Sequence, residues 1–127
     1  MDVSLNFLSS NLVSTLISAL PPQIKELNLS FNRLRDEGVS QLSGSLKHNY
    51  SLVSLNLQET EFSNLKELSE ALNLSAISGT LKYLNVTNNN VDSKVSSFLE
   101  FFQFVREARG LQVLRVNKTW KERNLIS

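Results

Sequence analysis

The sequence has no cysteine and few of the residues that usually build a chemical site. Without cysteine, neither a disulfide framework nor a thiolate metal site can form, and a reducing compartment is the simpler expectation. Glycine occurs four times, and neither a glycine-rich phosphate loop nor a nucleophile-elbow motif is present. The one histidine, His48, has no second ligand at metal-binding spacing and is interpreted as a surface loop residue. We therefore expect no catalytic residues, no metal and no cofactor.

Long apolar runs and an excess of one charge are also missing. No stretch is long enough to span a membrane, and the N-terminus lacks the basic region of a secretory signal. The 13 lysines and arginines nearly balance the 12 aspartates and glutamates. This balance argues against nucleic acid or an anionic membrane as the partner of the whole surface.

Charge is nevertheless uneven along the chain. Residues 106–127 carry a net charge of +4, whereas the rest of the chain carries −3. The basic end is either a solvated cap or an electropositive surface that meets an acidic partner. Nucleic acid is a third option for this end, although the sequence has neither a basic–aromatic stripe nor a known nucleic-acid module.

What the sequence does have is a repeated pattern of apolar residues, LxxLxLxxNxL. Its copies begin at Ile24 (IKELNLSFNRL), Leu52 (LVSLNLQETEF), Leu81 (LKYLNVTNNNV) and Leu111 (LQVLRVNKTWK), and a degenerate copy begins at Asp2 (DVSLNFLSSNL). Such self-similarity is the signature of a repeat architecture. We expect one domain over residues 1–127, with repeats starting near residues 2, 24, 52, 81 and 111 and a C-terminal cap or tail over residues 120–127.

The repeated segment predicts a short strand followed by a tight turn. Leucines alternate with polar residues in its LxLxL part, so they point to one side of a strand. The ninth position holds Asn32 and Asn89, whose side-chain amides can bond the backbone of the turn. Elsewhere this position holds Ser10, Thr60 and Thr119, whose hydroxyls can meet only part of that need.

Between these strands the apolar period becomes helical. The predicted buried faces are Leu12, Val13, Leu16, Ile17 and Leu20; Val39, Leu42 and Leu46; Leu65, Leu68 and Leu72; and Val95, Phe98, Leu99, Phe102 and Val105. Asp36 and Asp92 are expected near helix starts, and Pro21-Pro22 is expected to close the first helix. Phe101 and Phe104 lie outside the stripe and predict either a cover over the C-terminal end or an exposed apolar patch.

One strand and one helix per repeat predict an α/β solenoid, a short horseshoe of about four to five repeats. Its parallel sheet lines the concave side and its helices the convex side. The stretch from Ile24 to Arg35, followed by Gly38, Leu42 and Leu46, resembles the ribonuclease-inhibitor-like subfamily of leucine-rich repeats. The phrase ISALPPQIKELNLSFNRL, the absence of cysteine and the apolar C-terminus are similar to short leucine-rich-repeat effectors that Legionella delivers by type IV secretion.

The repeat register also predicts which side chains project from the concave sheet, namely the second, third, fifth, seventh and eighth positions of each copy. The fifth position forms a column of asparagines that ends in Arg115, in which neighbouring amides can bond one another. Phe31, Tyr83 and Trp120 are large aromatics expected to be exposed, and such residues dominate binding hot spots. The expected partner-binding residues are Glu26, Asn28, Phe31, Arg33, Asn56, Gln58, Glu59, Glu61, Tyr83, Asn85, Asn88, Arg115, Asn117, Lys118 and Trp120.

The resemblance implies a protein-binding module that docks through its concave face on a partner enzyme and occludes the active site. In an effector, the partner would be a host protein or another bacterial effector, and the chain would pass from the bacterial cytoplasm to the host cytosol. The alternatives are a non-inhibitory scaffold that joins two proteins and, third, a nucleic-acid binder that uses the basic end. We expect a monomer in the free state, with no membrane and no nucleic acid as partner.

Overall fold

Within the described residues, four strands lie in the repeats that the sequence pattern marks. The computed structural model describes residue 2 and residues 15–49, 51–74, 79–91, 101, 103–105, 107 and 110–117. The strands are β1 (Glu26–Asn28), β2 (Ser54–Asn56), β3 (Tyr83–Asn85) and β4 (Val113–Arg115). They form one parallel sheet in the order β1-β2-β3-β4, so each strand neighbours the next one along the chain.

The register joins equivalent positions of neighbouring repeats. Leu27 lies opposite Leu55, which lies opposite Leu84 and then Leu114. Upstream of β1, Asp2 forms an isolated parallel bridge with Asn28. The degenerate first copy would instead place residue 6 beside Asn28, and residues 3–14 lie outside the described part of the chain, so the register of that copy stays a prediction.

The strand leucines fill the core, as their alternation predicts. The fourth and sixth positions of the three repeats that begin at residues 24, 52 and 81 are buried in every case: Leu27, Leu29, Leu55, Leu57, Leu84 and Val86. In the last repeat Leu114 is half-buried and Val116 is buried. Because each strand stacks on its neighbour, these side chains form one continuous row that runs along the solenoid.

Within the described residues, two complete helices lie on the other side of this row. Helix α1 (Arg35–Leu46) buries Val39, Leu42 and Leu46, and α2 (Lys66–Leu74) buries Leu68 and Leu72, as predicted. Leu65, also buried, lies one residue before α2. Residues 15–18 are helical and bury Ile17, and this helix ends before Pro21 as expected. Residues 12, 13, 95, 98, 99 and 102 of the predicted faces lie outside the described residues.

Phe101 and Phe104 belong to the core. Both side chains are completely or almost completely buried, and their ring centroids lie 6.4 Å apart. Of the two predictions for this pair, the exposed apolar patch is wrong. Helical residues 101, 104 and 105 follow the i, i+3, i+4 spacing of one face, and Val105 is only half-buried. Among the described residues of this helix, the two phenylalanines are the fully buried side chains.

The ninth-position side chain of Asn89 joins two consecutive turns. The Asn89 amide nitrogen donates to the carbonyls of Leu57 at 2.8 Å, Val86 at 3.1 Å and Thr87 at 3.2 Å. Its oxygen accepts the backbone N–H of Thr60 at 2.9 Å. The Thr60 hydroxyl donates to one carbonyl, that of Leu57, at 2.9 Å. This confirms the prediction that a hydroxyl at the ninth position forms only some of the backbone hydrogen bonds that an asparagine forms there.

Asp36 also joins two repeats, which its predicted role at a helix start did not include. It lies in the first turn of α1, which has no side-chain cap at Leu34. Its carboxylate accepts the Ser63 N–H at 2.8 Å, the Ser63 hydroxyl at 2.7 Å and the Asn64 N–H at 2.9 Å. Partial burial raises the pKa of Asp36, but these hydrogen bonds together lower it by more. The pKa of Asp36 therefore lies below the ordinary value of 3.8. Asp92 lies outside the described residues.

Candidate functional site

The sheet presents one face of side chains that the core does not use, which we call the concave face and define by the third, fifth and seventh repeat positions. Along the third position Glu26 is exposed, Ser54 and Tyr83 are half-buried, and Val113 is 41% exposed. Among the described residues Val113 is the exposed large hydrophobic side chain. The alternation of the strands thus separates a leucine core from a mostly polar surface.

The asparagines of the fifth position form short local hydrogen bonds. The side-chain oxygen of Asn28 accepts the Ser30 N–H, that of Asn56 accepts the Gln58 N–H, and that of Asn85 accepts the Thr87 N–H, each at 3.0 Å. These bonds to the residue two positions later close the turn after each strand. The prediction that neighbouring asparagines of the column bond one another is wrong here, because these oxygens bond within their own repeat.

The amide nitrogen of Asn85 does reach the neighbouring repeat, but at a different position. It donates to the side-chain oxygen of Gln58 at 3.3 Å and to the hydroxyl of Tyr83 at 3.2 Å. Asn85 is itself buried, whereas Gln58 and Tyr83 are half-buried. The floor of the concave face is therefore held by Asn85 and leaves parts of its two partners accessible.

The aromatic residues are less exposed than the repeat register predicts. Phe31 and Tyr83 are both half-buried, and Trp120 lies outside the described residues. Phe31, Glu59 and Asn88 share the eighth position and have left-handed backbone conformations, with φ of 61°, 50° and 58°. The turn fixes this conformation, since Phe31 N–H bonds the Gln58 carbonyl of the next repeat at 2.9 Å. An asparagine at one of the three positions is the sequence signal for it.

Two open depressions lie side by side on the concave face and share Asn56 and Tyr83. The first has a volume of about 270 Å³ and is lined by Asp2, Glu26, Leu27, Asn28, Ser54, Asn56 and Tyr83. The second has a volume of about 420 Å³ and is lined by Asn56, Gln58, Tyr83, Asn85, Thr87, Arg115 and Val116. We call these the acidic depression and the arginine depression, after the charged side chains that line them.

The rim beyond the strands holds a second group of charged residues. Glu61 lies 3.8 Å from the Arg33 guanidinium and 4.0 Å from that of Arg35, and all three side chains are exposed. The Asn88 amide donates to Glu59 at 3.2 Å and thereby joins two neighbouring turns. Exposed pairs of this kind contribute little stability, on the order of 0–1 kcal/mol.

The structure brings most of the predicted contact residues together in three groups. The arginine depression collects Asn56, Gln58, Tyr83, Asn85 and Arg115; the acidic depression adds Glu26 and Asn28; and the rim holds Phe31, Arg33, Glu59, Glu61, Asn88 and Asn117. Lys118 and Trp120 lie outside the described residues. Which of these residues contact a partner stays a prediction.

The sequence interpretation did not select five residues that line the depressions, namely Asp2, Leu27, Ser54, Thr87 and Val116. Ser54 and Thr87 occupy projecting positions, so the repeat register could have found them, but their small side chains gave no reason for selection. Val116 occupies a core position, and it borders the depression because the sheet ends at β4 among the described strands.

His48 is exposed, as expected for a loop residue, and borders a third depression of about 230 Å³ with Leu20, Pro21, Pro22 and Leu46. Within the described residues, no group of three or more histidine, aspartate or glutamate side chains could hold a metal ion. In that part of the chain, no helix combines the length and apolar character that a membrane crossing requires.

Comparisons with known proteins agree with this architecture. The profile of a family described as "Leucine Rich repeat" matches residues 22–43. Among solved structures, that of "Leiomodin-1 Actin-Binding Site 2 (ABS2)" has a similar fold, with a TM-score of 0.80 and 18% sequence identity. The similarity covers 98% of this chain and 73% of the other. No curated protein sequence matches. The fold is a short leucine-rich-repeat solenoid, as predicted.

Proposed function

We propose that this chain is a non-enzymatic protein-binding module whose concave face docks on a partner protein. The observation that carries the proposal is the division of each strand between a buried leucine row and an open face. That face combines an exposed valine, Val113, with a half-buried tyrosine, Tyr83, and an exposed arginine, Arg115. Aromatic and arginine side chains are the types enriched at protein interfaces.

The leiomodin-1 domain of similar fold is named as an actin-binding site. This supports a protein as the class of partner and makes actin a defined candidate for a direct binding assay. The described part of the concave sheet is small, because its four strands at ~4.8 Å spacing span roughly 15–20 Å. A stable complex usually buries roughly 800 Å² on each partner. We therefore extend the proposed interface to the rim around Arg33, Glu61 and Asn88.

Within this proposal, the partner is an enzyme whose active site the docked module occludes. The resemblance to ribonuclease-inhibitor-like repeats and to Legionella effectors supports that mode, as well as delivery by type IV secretion into a host cytosol. A scaffold that joins two proteins is the alternative. The two are distinguished by adding the purified chain to the captured partner, because only an inhibitor lowers the partner's activity at equal molar ratio.

The concave face is tested with a pair of variants matched in net charge. Glu26→Arg with Val113→Asp alters the concave face outside the arginine depression. Glu37→Arg with Asn73→Asp makes the same change in charge on exposed residues of α1 and α2. Circular dichroism establishes that both variants are folded. Affinity capture is then quantified by mass spectrometry, with purified actin as one defined bait.

We expect the concave variant to bind its partner at least about tenfold more weakly, a loss of ~1.4 kcal/mol, which is within the range for interface hot spots. The helix variant should bind like the unmodified chain. Equal binding by all three proteins, or loss confined to the helix variant, would contradict docking through the concave face.

A further inference from the structure

The arginine depression carries an inference that rests on the proposed function and specifies the chemistry of the partner. We infer that this depression binds an acidic side chain, an aspartate or glutamate carboxylate on the partner's surface. The inference depends on which hydrogen-bonding groups the depression leaves available, on its charge, and on its contrast with the acidic depression beside it.

The charge of the depression comes from Arg115. Its side chain is exposed, and within the described residues it forms no ion pair. The described lining contains no aspartate or glutamate. Arginine is always protonated and presents five N–H donors, so a site around it favours an anion with planar oxygens, as a carboxylate has.

The hydrogen bonds of Asn85 orient Gln58 and Tyr83 so that their donor groups are left for a ligand. The Gln58 side-chain oxygen and the Tyr83 hydroxyl oxygen both accept from the Asn85 amide. The donors that remain for a ligand are the side-chain N–H groups of Gln58 and the hydroxyl proton of Tyr83. Both residues line the depression and are half-buried, so a ligand can reach them.

The side-chain oxygens of Asn56 and Asn85 also accept hydrogen bonds from within the protein. The Asn56 oxygen is engaged by the Gln58 N–H, which leaves the Asn56 amide protons to donate. The Asn85 oxygen accepts from both the N–H and the hydroxyl of Thr87, at 3.0 and 2.7 Å. The side-chain oxygens of Asn56, Gln58, Tyr83 and Asn85 thus each accept a hydrogen bond from within the protein, whereas donors beside a cation remain for a ligand.

The adjacent acidic depression has the opposite character. It shares Asn56 and Tyr83 with the arginine depression but is lined by the carboxylate side chains of Asp2 and Glu26. An anion is therefore attracted to one side of Tyr83 and repelled from the other, which fixes its position on the face. The arginine depression, at about 420 Å³, is open and much larger than one carboxylate, so it suits a side chain that projects from a folded surface.

The test uses defined peptides and nuclear magnetic resonance on the full chain. The probe is a tetraglutamate peptide capped at both ends, so that side chains are its only carboxylates. A capped tetraglutamine peptide is the uncharged control, and an uncapped tetraglutamine peptide supplies a chain terminus instead. We expect the tetraglutamate alone to shift the side-chain N–H signals of Asn56, Gln58 and Asn85 saturably.

Two variants of equal charge separate the site from general attraction. Arg115→Gln removes the cation of the depression, and Lys47→Gln removes an exposed cation just after α1, away from the concave face. We expect Arg115→Gln to weaken tetraglutamate binding about fivefold, the upper range for an exposed ion pair, and Lys47→Gln to leave it unchanged. Equal weakening by both variants, or no shift at the three amides, would overturn the inference. Equal or stronger binding of the uncapped peptide would replace the side chain by a chain terminus and also overturn it.

The same variants distinguish this inference from the proposed function. One result is a partner that fails to bind the Glu26→Arg, Val113→Asp variant but binds Arg115→Gln as it binds the unmodified chain. That result would support docking through the concave face and would contradict a partner carboxylate in the arginine depression. If tetraglutamate binds in the depression but no partner depends on the concave face, the carboxylate site stands as a site for the probe and the proposed function fails.

Discussion

Replacing Asn89 by alanine should be one of the most destabilising substitutions in the turns that follow the strands. The side chain is only 3% exposed, and it bonds the backbone of two repeats. After the substitution, the Leu57 carbonyl keeps the Thr60 hydroxyl and the Thr87 carbonyl keeps the Glu59 N–H. The Thr60 N–H and the Val86 carbonyl lose the Asn89 contacts, at 2.9 and 3.1 Å.

The magnitude follows from these two backbone groups. A buried donor or acceptor left without a partner costs about 1–3 kcal/mol, so we expect the Asn89→Ala variant to lose about 3 kcal/mol in all. For a chain of this length the entropy of unfolding is about 0.27 kcal/mol/K near the midpoint, so the Tm should fall by about 10 °C. In urea, with a slope of about 1.5 kcal/mol/M, the midpoint should fall by about 2 M.

The assay is urea unfolding followed by circular dichroism and by tryptophan fluorescence, so that agreement of the two probes justifies a single free energy. Asn90→Ala is the matched control, because Asn90 is the next residue and is exposed. Substitution of such a surface residue should change stability by at most about 0.5 kcal/mol. A loss below about 1 kcal/mol in Asn89→Ala, or a loss equal to that of Asn90→Ala, would refute the role of this turn.

Three further predictions concern backbone and charge. Gly38→Ala should cost about 1–3 kcal/mol in urea unfolding, because its new Cβ would lie 2.8 Å from that of Leu34; Gly44→Ala, with open space around it, should gain about 0.5–1 kcal/mol, and the reverse order would contradict the packing. Glu59→Asn should raise the unfolding free energy by about 0.5 kcal/mol, because asparagine tolerates the φ of 50° better than glutamate; a lower Tm would count against the left-handed turn. The lowered pKa of Asp36 stabilises the fold above pH 3.8, and this contribution is lost as the pH falls through the folded-state pKa; acid titrations should therefore show a smaller loss in Asp36→Asn, and parallel curves would contradict this.

The sheet and its core could be predicted because leucines are regularly spaced. Apolar side chains recur every two residues in the strands and every three to four in the helices. Only one arrangement of such elements buries Leu27, Leu55 and Leu84 together. The turn asparagine at position 89 was predictable for the same reason, since it recurs at a fixed distance from the strand. That its oxygen would bond the preceding repeat at Thr60 was not, because the partner depends on how two turns stack.

The rest of the concave face depends on directions that spacing does not contain. A fifth-position asparagine could bond either the neighbouring strand or the turn of its own repeat. The Asn85 oxygen accepts from Thr87, because this bond closes the turn within one repeat. Tyr83 and Phe31 are half-buried, and the alternation of the repeat pattern gives the side of the sheet but not the exposed fraction of a side chain. Phe101 and Phe104 lay outside the predicted stripe because the sequence around them is apolar on several sides of the helix, so spacing alone does not fix which side is buried.

Hydrogen exchange on a complex with the captured partner tests the central claim, docking through the concave face, most directly. Exchange of backbone amides is measured in the free chain and in the complex at saturating partner. We predict slower exchange in the segments around residues 54–61 and 83–90 and at 112–117, which carry the strands and turns of that face, with α1 unchanged. Protection confined to α1 and α2, with the strand and turn segments unchanged, would contradict the claim.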